Sequence, residues 1–91
     1  MKKTFTFYSD PSHGWMKVPR KLPVELEVQS KISSCSYQRG DFVYLEEDRD
    51  AGIVLDCLKE KGVTPVVKEK NSNKSSRIRS YSSYAKAHGS N

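Results

Sequence analysis

The feature that most constrains this fold is one amphipathic helix, predicted for residues 48–61. Its apolar residues recur at the i, i+3, i+4, i+7 spacing of a helix that packs one face on a core. They are Ala51, Val54, Leu55 and Leu58. Asp48 or Asp50 can cap the start, and Gly62 follows the end, where a left-handed residue is favoured. Such a helix must cover an apolar layer supplied by the rest of the chain.

Strand patterns and a weaker helical pattern precede this helix. Residues 3–8 alternate phenylalanine with threonine, which places both phenylalanines on one face of a strand. Residues 15–18 suit a short returning strand, with Trp15 on one face and Met16 on the other. Residues 20–28 carry leucines at helical spacing, but Pro23 removes a backbone donor, so we expect only a short first helix.

A hairpin and a final strand complete the pattern. Residues 32–37 and 42–46 are strand-like and flank a polar connection, which predicts a hairpin with Gly40 in the left-handed region. Residues 63–67 predict a last strand, and Pro65 indicates that it lies at a sheet edge, because proline has no N–H to donate. The sequence therefore predicts an α+β fold: a small, mostly antiparallel sheet packed on one main helix.

Length and composition favour a single small domain. The chain has 91 residues, 35% hydrophobic and 30% charged, which suits a thin core. We expect a compact domain over residues 1–69 and a flexible, basic tail over residues 70–91, where large apolar groups are few. No apolar run approaches the roughly 20 residues that cross a bilayer, and no secretory signal is recognised. A cytoplasmic protein with no membrane partner is expected, with Cys35 and Cys57 as reduced thiols.

The net charge of +5 is unevenly distributed along the chain. Residues 1–31 carry +3, residues 32–62 carry −3, and residues 63–91 carry +5. A uniformly basic nucleic-acid-binding protein does not show this pattern. The chain is bipolar, with acid in the middle and base at both ends.

Four carboxylates lie at the start of the predicted helix. They are Glu46, Glu47, Asp48 and Asp50. One or two acids there complement the helix dipole, whereas four form a patch that can steer and select a basic protein surface. We take this patch as the candidate protein-binding site, with a purely local role at the helix start as the alternative.

The C-terminal segment combines cations with aromatic side chains. The candidate nucleic-acid-binding residues are Lys74, Arg77, Arg79, Tyr81, Tyr84 and Lys86. Arginine and lysine neutralise phosphates while tyrosine stacks on unpaired bases. Two other interpretations stay open: a solvated tail, and a tail that folds back onto the sheet through Ile78 and the two tyrosines.

No catalytic or metal site is predicted. Asp10 and His13 resemble an acid–base pair, but no nucleophile lies near them, and Asp-Pro-Ser is an ordinary turn sequence. Zinc sites use closely spaced histidine or cysteine pairs, whereas the histidines and cysteines are isolated in this sequence. These isolated residues are His13, Cys35, Cys57 and His88. We therefore expect a protein without enzymatic activity and without a cofactor.

Several short motifs together resemble a group of small proteins of bacteriophages and other mobile elements. The motifs are His13-Gly14-Trp15 with Val18-Pro19, Ser36-Tyr37-Gln38-Arg39-Gly40-Asp41, Tyr44-Leu45-Glu46-Glu47-Asp48, and Ile78-Arg79-Ser80-Tyr81. The resemblance spans most of the chain and implies a mobile-element origin, but it brings no activity with it. Pro23 and Glu27 depart from the group's pattern of a more regular first helix ending in glycine.

These observations favour a small binding module. Our leading hypothesis is a phage or mobile-element protein that modulates or inhibits a host protein, one of the nucleic-acid or defence machinery, through the acidic patch. The alternative is direct nucleic-acid binding through the basic N-terminal segment and tail. The identity of the partner and the oligomeric state, a homo-oligomer included, stay open at this point.

Overall fold

The computed structural model describes residues 1–84, which form a six-stranded sheet with two α-helices on one of its faces. In chain order the elements are β1 (Lys2–Ser9), β2 (Gly14–Pro19), α1 (Lys21–Glu25), β3 (Tyr37–Arg39), β4 (Phe42–Glu46), α2 (Asp50–Glu60), β5 (Thr64–Asn71) and β6 (Ser82–Ser83). Short 3₁₀ helices occupy Gln29–Lys31 and Arg77–Ser80. The predicted α+β class is confirmed.

The strand order across the sheet is β5-β1-β2-β4-β3-β6. β1 and β5 are parallel, and the other four neighbouring pairs are antiparallel. β4 and β5 therefore run in the same direction, since each is parallel to β1. A chain that returns in the same direction needs a long crossover, and α2 provides it. β5, which the sequence predicted as the last strand, lies at the sheet edge, as Pro65 indicated, and extends to Asn71.

The main core lies between the sheet and the helices. It takes the alternate residues of the strands and one face of α2, which bury together. The buried residues are Phe5, Met16, Val18, Leu22, Val28, Ile32, Val43, Leu45, Ala51, Val54, Leu58 and Tyr84. Trp15 and Met16 lie on opposite faces, as the alternation predicted.

The main helix, Asp50–Glu60, lies within its predicted range of 48–61, but neither predicted cap is used. Arg49 occupies the capping position and makes no side-chain hydrogen bond to the helix. The Asp50 carboxylate instead accepts hydrogen bonds from the Ser33 N–H at 3.0 Å and the Ser36 hydroxyl at 2.5 Å. At the other end, Gly62 has φ +82° and ends the helix as expected.

The predicted hairpin has a shorter first strand than expected. Gly40 has φ +60°, as predicted for its turn, and β4 covers the predicted residues 42–46. β3 begins only at Tyr37, because the preceding residues serve the core instead. Ile32 packs into the main core, and the buried Ser36 hydroxyl accepts a hydrogen bond from the Glu46 N–H at 2.9 Å.

The expected boundary at residue 69 needs correction. β5 passes through it without interruption, and the chain then crosses the second face of the sheet as residues 72–81, the cross-face segment. It reaches β6, which pairs with β3 at the opposite edge. Buried Tyr84 donates its N–H to the Ser36 carbonyl at 2.9 Å and enters the main core. The burial of Ile78 and Tyr84 offsets the entropy lost when this segment becomes ordered. The polar composition of the segment did not indicate this burial.

The residue that follows the first helix is poorly suited to its backbone conformation. Exposed Glu27 follows α1 with φ +61°, in the left-handed region that favours glycine. Glu27→Gly should therefore stabilise the protein by about 1 kcal/mol, which raises the melting temperature by about 4–8 °C for a domain of this size. Thermal unfolding followed by circular dichroism measures the shift.

Glu27→Ala is the matched control for this prediction. Alanine removes the same carboxylate but keeps a Cβ, so the left-handed strain persists. An equal rise in both variants would show that charge, and not backbone strain, governs stability at this position.

Candidate nucleic-acid interface

The sheet face opposite α2 carries an aromatic layer, which we call the aromatic face. Trp15, Tyr44 and Ile78 form its buried centre, with exposed fractions of 2%, 8% and 3%. The half-buried rings around them are Tyr8, Tyr37 and Tyr81. The rings meet in tilted and edge-on contacts, with centroid distances of 5.1 Å for Tyr44–Tyr81 and 6.2 Å for Trp15–Tyr37. Such geometry is favourable for aromatic pairs.

Asp10 holds the cross-face segment on this layer. Its buried carboxylate accepts hydrogen bonds from Arg79 Nε at 2.7 Å and Arg79 Nη2 at 2.9 Å. It also accepts from the backbone N–H of Ser76 at 2.9 Å, and of Ser12 and His13 at 3.0 Å each. One side chain thus ties the β1–β2 loop to the cross-face segment. The guanidinium of Arg79 in turn lies over the Trp15 ring, 5.3 Å from its centroid.

These contacts hold the pKa of the Asp10 carboxyl far below its usual range. The hydrogen bond from the Arg79 side chain is the largest cause, and the Ser76 N–H is the next. Burial acts in the opposite direction. The Asp10 carboxylate is therefore ionised at neutral pH when the cross-face segment is docked.

A groove lies between the cross-face segment and the sheet, and we call it the basic groove. It encloses about 700 Å³, within the range of about 300–1,000 Å³ for ligand sites. Its lining combines aromatic, cationic and hydroxyl side chains, and none of the described lining residues is acidic. These residues are Tyr8, Lys17, Tyr44, Ser72, Lys74, Ser75, Ser76, Arg77, Ile78 and Tyr81. Burial raises the pKa of Tyr44, so its phenol is neutral.

A smaller basic cavity adjoins the groove on the other side of Tyr81. It encloses about 330 Å³, and Arg20 and Arg39 contribute its cations. Arg20 is committed to the fold, since its guanidinium donates to the Gly40 carbonyl and to Gln38. Arg39 lies over the Tyr81 ring at 5.2 Å and extends the positive surface beyond the groove.

The six predicted nucleic-acid-binding residues separate into distinct environments. Lys74, Arg77 and Tyr81 line the basic groove. Arg79 is bound to Asp10, and Tyr84 is buried in the core on the other side of the sheet, and neither lines the basic groove. The remaining candidate, residue 86, lies outside the described residues.

The acidic patch is also divided by the fold. Asp50 is buried and bound to the serines that precede β3, so it is not a contact for a partner. Glu47 and Asp48 are exposed and Glu46 is half-buried. Three of the four predicted carboxylates therefore remain accessible at this end of the sheet.

The sequence did not single out Tyr8, Lys17 and Tyr44 as groove residues. Each lies in a strand where its neighbours in sequence point to the main core, so the same alternation that identified the core also places these three on the opposite face. The alternation in the sequence therefore indicated the face of each residue, but only the strand register shows that the three lie side by side. In the register, Lys17 pairs with Tyr44, and Tyr8 pairs with Trp15.

The chain matches no protein-family model, no curated protein and no solved structure. Among the described residues, no helix has the length and apolar character needed to span a membrane.

Docking of the cross-face segment should depend on the ionised Asp10. Because the pKa of Asp10 is lowered on docking, the contribution is complete above its ordinary value of about 4. It is lost as pH falls through the lower, docked-state value. Asp10→Asn removes the ion pair at every pH, so amide hydrogen exchange at Arg79 and Tyr81 should become faster at neutral pH.

Asp41→Asn is the control, since the Asp41 carboxylate is exposed and makes no hydrogen bond within residues 1–84. Its exchange pattern should match that of the unmodified chain. Unchanged protection in Asp10→Asn at neutral pH would contradict an anchoring role for the ion pair.

Proposed function

We propose that this chain is a non-enzymatic binding protein of a bacteriophage or other mobile element, whose basic groove binds single-stranded nucleic acid. The observation that carries the proposal is the lining of the groove: three tyrosines and three cations with no carboxylate among them. Cations neutralise phosphates, and tyrosine rings stack on bases whatever their sequence. The mobile-element origin is proposed from the resemblance of the motifs.

The arrangement of these groups suits a strand better than a small anion. Lys74 and Arg77 belong to the cross-face segment, whereas Lys17 belongs to β2, so the cations stand on both walls of the groove. A backbone that follows the groove can contact both walls, while its bases reach the rings of Tyr8 and Tyr81. Aromatic stacking requires unpaired bases, which favours single strands over duplex.

The N-terminal part of the chain contributes through the sheet and not as a separate arm. Lys17 lies beside Tyr44 in the register, and its ammonium also lies over the Phe42 ring at 4.1 Å from the centroid. Lys17 therefore lines the groove while its ammonium contacts a ring that is not among the lining residues. The proposed interface thus combines residues that are far apart in sequence.

Reversing the two cations of the cross-face segment should weaken binding strongly. We expect Lys74→Glu/Arg77→Glu to lower affinity for a fluorescent single-stranded oligonucleotide of about 16 nucleotides. The slope of log affinity against log salt should fall by up to about two, one for each lost phosphate contact. Fluorescence anisotropy across a salt series measures both quantities.

Lys59→Glu/Lys61→Glu is the matched control, because it changes the net charge equally at the end of α2, on the other face of the sheet. This variant should retain most of the affinity and nearly the full salt slope. Equal losses in both variants would attribute binding to net charge alone. No binding by the unmodified chain at about 50 mM salt would reject the proposal.

A second candidate function is the inhibition or modulation of a host protein through the remaining acidic patch. The supporting observation is that the side chains of Glu46, Glu47 and Asp48 make no hydrogen bond or ion pair within residues 1–84. A basic surface of the host's nucleic-acid or defence machinery would complement them.

Charge reversal at the acidic patch distinguishes the two functions. If a host protein is the partner, Glu46→Lys/Glu47→Lys/Asp48→Lys should abolish its capture from nuclease-treated lysate. If nucleic acid is the partner, the same variant should bind the oligonucleotide more tightly, because repulsion of phosphates is removed. The melting temperature is measured first, since these residues precede α2 and the change opposes its dipole.

A further inference from the structure

We propose that His13, Glu46 and Asp48 form a binding site for a divalent transition-metal ion, with zinc as the best-fitting class. The three side chains each offer one ligand atom, and these atoms lie within 4.8 Å of one another. Two ligands of one ion lie at most about 4.2 Å apart, twice a metal–ligand distance of roughly 2.1 Å. Small rotations of these three side chains therefore bring the donors into coordination distance.

The three donors come from separate positions in the chain that the fold fixes together. His13 lies in the β1–β2 loop, Glu46 is the last residue of β4, and Asp48 lies in the turn before α2. The Glu47 N–H donates to the Gly14 carbonyl at 3.1 Å, which joins the two loops directly beside the donors. Both backbones are thus held before any ion binds, which lowers the entropy lost on binding.

Gly14 allows the two loops to approach each other. A Cβ at this position would collide with the Phe7 ring and would lie 3.0 Å from a Glu47 carboxylate oxygen. The glycine between His13 and Trp15 is therefore required by packing. It places the imidazole at the same end of the sheet as the two carboxylates.

The electrostatics of the cluster also favour a cation. Within residues 1–84, the one ion pair is between Asp10 and Arg79, so neither Glu46 nor Asp48 has a cationic side chain within 4.0 Å. Arg49 follows Asp48 in sequence and forms no ion pair with it. Two carboxylates held close together repel each other, and a divalent ion converts that repulsion into attraction.

The donor set selects the class of metal. An imidazole nitrogen suits zinc and other late divalent ions, whereas magnesium and calcium prefer sites made entirely of oxygen ligands. Three protein ligands also leave a fourth position for water or for an oxygen of a bound molecule. The sequence does not indicate this site, because its three donors include two carboxylates and are not a closely spaced pair of histidines or cysteines.

Isothermal titration of the full chain with zinc chloride, with thiols kept reduced and no nucleic acid present, tests the site. We expect one ion per chain, and His13→Gln and Asp48→Asn should each weaken binding by about tenfold or more. Zinc should raise the melting temperature of the unmodified chain and of neither variant. Since no nucleic acid takes part, failure here is independent of the proposed function.

Three control variants test alternative zinc ligands. Glu47→Gln changes the neighbouring carboxylate, which does not belong to the cluster, and should bind zinc like the unmodified chain. Cys35→Ser and His88→Gln remove an exposed thiol and the second imidazole, and should also leave binding unchanged. The proposal is overturned if zinc does not bind, if His13→Gln binds normally, or if either of the last two variants loses binding.

Discussion

The ion pair between Asp10 and Arg79 is the interaction on which the second half of this structure depends. A carboxylate that accepts five hydrogen bonds from two parts of the chain fixes the β1–β2 loop and the cross-face segment at once. Buried ionised groups are tolerated when they are paired and fully hydrogen-bonded. The docked segment then covers Trp15 and Tyr44, so the sheet buries apolar surface on both faces. Without this anchor, the large rings of the aromatic face would be exposed to water.

A covered second face explains how so polar a chain builds a folded protein. A sheet with one covered face would leave the central Trp15, which is 2% exposed, largely in solvent. The cross-face segment covers the ring with Ile78 and Tyr81, which are set among polar neighbours. Its lysine and arginine side chains are consequently held close to tyrosine rings. The basic groove is thus a direct result of how the aromatic layer is covered. The contacts that stabilise the fold also hold the proposed binding groups in position.

Local patterns predicted what depends on neighbours in sequence. The main helix, both phenylalanines of β1, Gly40 and the edge position of β5 follow from periodicity and from backbone preferences. What could not be predicted depends on pairing between distant residues. Asp10 meets Arg79 across 69 positions of sequence, and the carboxylate of Asp50, the first residue of α2, accepts hydrogen bonds from the serines before β3. A carboxylate has the same local signature whether it caps its own helix or binds a distant loop. The candidate site was likewise predictable only in part. Composition indicated Lys74 and Arg77, whereas only the strand register places Lys17 beside Tyr44.

The short motifs identified in the sequence meet at one face of the folded chain. His13-Gly14-Trp15, the β3–β4 hairpin and Ile78-Arg79-Ser80-Tyr81 all contribute to the aromatic face or its border. Packing alone accounts for the buried members, because Trp15, Tyr44 and Ile78 form the centre of the layer. Packing does not account for exposed Asp48, Lys74 or Arg77, and exposed His13 only lies beside the Trp15 ring at 6.2 Å between centroids; within residues 1–84 none of these four side chains makes a hydrogen bond or an ion pair. We therefore assign the proposed functions of this face to these exposed groups. They divide by charge into a basic groove suited to phosphates and a carboxylate–imidazole cluster suited to a metal ion.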